Sequence, residues 1–153
     1  MDIQYLKSLQ ANPELHKGKP IRGLSEEKIT ALETKFNNGD VFPKAFREYL
    51  FLAGEWGGTG VVYNDWDELR SDCDADLKHW SNTIDRPFFV FDRLDSQYSI
   101  FFLDEDSEDP ECHILNASWD EQDSEPLLKK MYTGTFSGLI QEAVNRIKND
   151  VSF

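Results

Sequence analysis

The apolar residues of this chain change their period part-way along it, and that change restricts the fold more than any other feature. Up to residue 53 they recur every three or four positions, as a helix with one buried face requires. Beyond it they gather into short aromatic and branched runs suited to strands, and the last segment returns to helical spacing. Ser25 is a good N-cap, Glu26 and Glu27 suit a helix N-terminus, and Leu24 with Ile29 fits a hydrophobic staple. Ile29, Leu32 and Phe36 continue that helix until Asn37-Asn38-Gly39-Asp40 ends it. Pro43 opens a second helix, in which Phe46, Tyr49, Leu50 and Ala53 form one stripe before Gly54 and Gly57-Gly58 stop it. Val61–Tyr63, Phe88–Phe91, Ser99–Leu103 and Cys112–Leu115 read as strands, with Arg93–Ser96 as a hairpin turn. Thr135 caps a final helix over Phe136–Asn149, and a short helix is expected near Ile3–Gln10. Strands flanked by helices at both ends give an α+β fold: one domain with an antiparallel sheet packed against N- and C-terminal helices. Residues 1–21 form an N-terminal extension of short helix and loop, and residues 22–150 form the domain proper. No repeat or linker divides the chain.

Charge is distributed as unevenly as periodicity. The formal net charge is −13 over 153 residues. Residues 1–50 hold eight basic and seven acidic side chains, whereas residues 51–153 hold eight basic and twenty-two acidic. One acidic run covers Asp65, Asp67, Glu68, Asp72, Asp74 and Asp76, a second Asp104, Glu105, Asp106, Glu108, Asp109 and Glu111, and a third Asp120, Glu121, Asp123 and Glu125. Such runs are either solvated loops that keep a protein soluble or a landing surface for a cationic partner. Either way they oppose binding to nucleic acid or to an anionic membrane surface. No apolar run approaches the roughly 20 residues of a membrane helix, the first 19 residues lack the apolar core of a secretory signal, and two cysteines make no disulfide framework. A cytoplasmic protein with free thiols is expected.

The chemistry-bearing residues form no catalytic pattern. His16, His79 and His113 are far apart in sequence, and Cys73 and Cys112 lack the close spacing of a zinc site. The run from Asp104 superficially resembles a calcium loop, but its sixth position is Asp109 where glycine is needed and its twelfth is Leu115 where glutamate is needed. Gly57-Gly58-Thr59-Gly60 is followed by no lysine that could reach a phosphate. No catalytic residue, metal or cofactor is therefore expected. Trp66 between Asp65 and Asp67, and Trp119 beside Asp120, are tryptophans among acids, as interface anchors can be; the alternative is that they cap the core.

Leu24-Ser25-Glu26-Glu27, a helix, Phe42-Pro43-Lys44-Ala45-Phe46-Arg47-Glu48-Tyr49-Leu50 and then a glycine-rich turn together resemble the SUKH superfamily of SMI/KNR-type proteins. The positions that carry the motif are Pro43, Phe46, Tyr49, Leu50, Gly57 and Gly58. The resemblance covers roughly residues 22–150; its turn, Gly54-Glu55-Trp56-Gly57-Gly58, is longer than the family's Asn-Gly-Gly. It implies an α+β domain without enzymatic activity. It further implies an immunity protein that neutralises a polymorphic toxin, often a nuclease, by stoichiometric binding. The alternative within the family is a scaffold of the cell-wall-regulator type. A basic toxin domain would meet Asp65, Trp66, Asp67, Glu68, Asp104, Glu105, Asp106, Glu108, Asp109, Trp119 and Asp120, with electrostatics speeding the encounter.

Overall fold

The first helical stripe and the aromatic strands meet in one core. The computed structural model describes residues 1–16 and 18–151. Its elements are α1 (Lys7–Ala11), α2 (Glu26–Phe36), α3 (Lys44–Ala53), α4 (Trp66–His79), β1 (Phe88–Leu94), β2 (Gln97–Phe102), β3 (Glu111–Asn116), β4 (Leu128–Thr135) and α5 (Phe136–Lys148). The strands form an antiparallel meander in the order β1-β2-β3-β4, so the fold is α+β. Side-chain caps begin three of the helices: Ser25 accepts from the Lys28 N–H, Asp65 from Glu68 and Thr135 from Gly138.

Strand β2 is buried at every residue from Tyr98 to Phe102, so both faces of the sheet are covered there. On one face Phe101 packs with Phe89 and with Phe46 of α3 and Phe136 of α5. Phe46 is the centre of this cluster, also touching Phe42, Trp66, Phe89 and Phe136 edge-on or tilted. On the other face Tyr98 donates to Asp76 of α4 at 2.6 Å, and Arg70 of α4 lies over the Phe88 ring. The motif glycines serve this packing. A Cβ on Gly57 would overlap the Tyr49 hydroxyl, and Gly58 has φ +63° against the Trp56 ring.

Three expectations need correction. The N-terminal helix is Lys7–Ala11, and the preceding residues are irregular because the backbone N–H groups of Gln4, Tyr5 and Leu6 all point at the buried Glu48 carboxylate, at 2.7–2.9 Å. Ile3, Leu6 and Leu9 of this N-terminal extension belong to the common core. Val61–Tyr63 is not a strand; a single bond from the Tyr63 N–H to the Phe91 carbonyl ties it to β1, between Gly60 at φ +73° and the start of α4. The acidic run 65–76 is not a loop but helix α4, whose Trp66, Leu69, Cys73 and Leu77 form a buried stripe. Strand β4 was not anticipated, because Leu128–Thr135 alternates poorly: its burial runs from half-buried to exposed without a fully buried position.

Candidate protein-interaction surface

Most of the acidic side chains singled out above already have partners within the chain. In the first run, Asp65 caps α4, Asp67 pairs with Lys35 at 2.5 Å, and Glu68 accepts from the Tyr63 hydroxyl at 3.2 Å. Asp72 pairs with Arg93 and Asp74 with Arg70. In the second run, Arg86 holds both Asp104 (2.7 Å) and Glu105 (3.0 Å), and it keeps the Asp104 carboxyl below the usual carboxylate range. Glu108 accepts from the Tyr5 hydroxyl at 2.6 Å, while Asp109 accepts from both the backbone and the hydroxyl of Ser137 at the start of α5. Glu111 pairs with Lys130. In the third run the Asp123 carboxylate accepts from the Asp120 N–H and the Asp120 carboxylate from the Gln122 N–H, closing a turn, and Glu125 pairs with Lys129. Asp106 is exposed and has no partner among the described residues.

Of the two tryptophans weighed as anchors, Trp66 takes the alternative place, against the core. Trp66 is 7% exposed and packs on Phe46 and Phe89, so its ring is part of the core and no surface anchor. The reason is its position: as the first residue of α4 it shares the helix stripe with Leu69 and Cys73. Trp119 is half-buried, and its carbonyl accepts from the Asn82 side chain at 2.8 Å. The two sites also lie in separate stretches of the fold, Asp65–Glu68 at the start of α4 and Asp104–Asp109 in the β2–β3 connection.

A different arrangement stands out from the geometry. A hollow of about 160 Å³ opens between α4 and the end of β1, lined by Tyr63, Glu68, Leu69, Asp72, Asp92 and Arg93. It holds three carboxylates and one guanidinium, and that guanidinium is committed to Asp72 at 2.5 Å and to the Asp95 carbonyl at 2.7 Å. Asp92 therefore has no cation partner among the described residues. Burial pushes its carboxyl up to about 6, although a hydrogen bond from the Arg93 backbone N–H pulls the other way. Asp92 sits where the β1–β2 register shifts, between Val90 and Asp92, and this bulge turns it out of the strand alternation. Sequence reading passed over it. The available signal was a carboxylate directly after Phe88-Phe89-Val90-Phe91, the most apolar strand of the chain.

Cys73 and Cys112 are buried, and burial pushes both thiols up, Cys73 to about 12. Burial pulls His113 down, and its buried Nδ1 has no hydrogen-bond partner among the described residues. Among the described residues no three His, Cys, Asp or Glu side chains converge to hold a metal ion, and no helix is long and apolar enough to cross a membrane. No family model, curated protein or solved structure matches the chain.

Proposed function

We propose that this chain is a non-enzymatic protein-binding module of the SUKH type, an immunity protein that neutralises a basic toxin domain, such as a nuclease, by stoichiometric binding. The observation that carries the reading is the hollow at Glu68, Asp72 and Asp92. A lysine or arginine from a partner fits its volume and supplies the cation that Asp92 lacks, and the Tyr63 ring borders it. The net charge of −13 steers a basic partner towards the chain from a distance. A nuclease must present lysine and arginine where it meets phosphate, so a carboxylate-lined surface competes for the same groups. The exposed Asp106, with Asp104 and Glu105 beside it, adds to the long-range attraction.

A pull-down with the tagged chain, at low and then at high salt, tests the reading. One basic protein held at a one-to-one ratio and released by salt is the expected result. Asp92→Asn or Glu68→Gln should weaken that complex about tenfold, the scale of one charge-assisted contact. Asp106→Lys should slow association chiefly at low salt. Capture of several housekeeping proteins instead would favour the scaffold alternative, and an unchanged affinity in Asp92→Asn would remove the hollow from the interface.

A further inference from the structure

We infer that a second copy of this chain docks on the apolar groove between β3, β4 and the first turns of α5, forming a two-fold dimer in which each Tyr132 enters the groove of the other. The groove has a volume of about 640 Å³ and is lined by Val61, Ile114, Met131 and Leu139. Two of the most exposed large apolar side chains of the molecule stand on its rim: Tyr132, 81% exposed, and Leu94, 73% exposed. An isologous interface needs knob and hole within one patch, and here Tyr132 itself lines the groove.

Charge permits a second copy here where it opposes one elsewhere. A chain of net charge −13 repels its own copy wherever carboxylates are in excess. The groove is the exception: its charged lining is Lys129, Lys130 and Glu125, and residues 126–141 contain no acid at all. The same balance makes it a poor target for the basic partner proposed above, which the acidic faces attract. Contact through the groove rather than by strand pairing follows from the shape of β4. Its register against β3 jumps, so that Lys130 to Thr135 spans the same stretch as His113 to Glu111. This large bulge, together with the edge lysines, spoils β4 as a template for another strand and pushes Tyr132 outward. At the tip of the knob, Arg146 donates to the Tyr132 oxygen at 3.0 Å, which leaves the phenolic hydrogen to donate across the interface.

Sedimentation velocity of the full chain over about a hundredfold range of concentration, at low and high salt, tests this. The weight-average mass should rise from 17.7 kDa towards twice that value, and more steeply at high salt, because salt screens the repulsion between copies. Tyr132→Ser, at an exposed site, should stay at 17.7 kDa throughout with an unchanged circular dichroism spectrum, whereas Tyr132→Phe should still dimerise, more weakly. A wild-type mass of one chain at every concentration overturns the proposal. So does a dimer that survives Tyr132→Ser, or one that salt dissolves. The salt response is opposite to that expected for capture of a basic partner, so either proposal can fail without the other.

Discussion

Asp92→Asn should make the isolated protein more stable at neutral pH. Asp92 is a carboxyl held without a cation in a largely buried site, titrating at about 6 instead of its ordinary 3.8. Between those two values the native chain holds a proton that the unfolded chain has released. Stability attributable to this group is therefore complete below pH 4 and falls as pH rises towards 6, by about 1.4 kcal/mol per pH unit. Above pH 6 the ionised group costs the fold about 3 kcal/mol in all, taking the full interval between 3.8 and about 6. Asparagine keeps the shape and can still accept from the Arg93 N–H, but it carries no charge to desolvate. The variant should match wild type at pH 4 and exceed it by about 2–3 kcal/mol at pH 7 in urea unfolding. In Tm that is about 4–12 °C for a domain of this size. Asp106→Asn is the control, since it removes one negative charge from an exposed site and should stay within about 0.5 kcal/mol of wild type at both pH values. An Asp92→Asn offset no larger than that of the control, or one equal at pH 4 and pH 7, would refute the reasoning. Gain of stability with loss of partner affinity in one substitution is what a site kept strained for binding should show.

Three further outcomes follow from the packing. Glu48→Ala should cost about 3–5 kcal/mol in urea unfolding, because it leaves three amides of the N-terminal segment without their acceptor, and it should open residues 1–12 to proteolysis before the rest of the chain. Gly57→Ala should cost about 1–3 kcal/mol, since the new methyl displaces the Tyr49 hydroxyl from its place against the turn; full stability would show that the turn moves freely. Cys73 and Cys112 should not react with a thiol reagent at pH 8 in the native protein and should both react in urea, as expected of buried thiols pushed well above their ordinary value.

Much of the fold was legible because local chemistry and core placement agree. The Ser25 and Thr135 caps, the Phe46–Ala53 stripe and the paired aromatic runs each state in sequence the role they have in three dimensions. Helix α4 was misread because acids are as many as apolar residues in it, and charge density masks the stripe that the fold uses, Trp66, Leu69, Cys73 and Leu77. Strand β4 was missed because a strand at the sheet edge with a large bulge lacks the alternation that would announce it. Glu48 was hidden for another reason. Nothing in a helical Phe-Arg-Glu-Tyr stretch says that its carboxylate will meet amides more than forty positions away.

The acidic surface shows how far composition is from a site. A run of carboxylates reads as one patch, yet folding distributes its members among separate tasks: Asp65 to a helix cap, Asp76 to a tyrosine hydroxyl, Asp74 to an arginine on the same helix. Each carboxylate so engaged is partly neutralised and fixed in place, and attracts a partner less than its formal charge suggests. What distinguishes Asp92 is that, half-buried, its carboxylate meets the Arg93 backbone N–H but no cation among the described residues. Its one cationic neighbour in the hollow, Arg93, is turned to Asp72 and to the Asp95 carbonyl instead. An incoming cation therefore gains the most where a buried carboxylate has been left without one, and the density of exposed acids sets only how quickly it arrives.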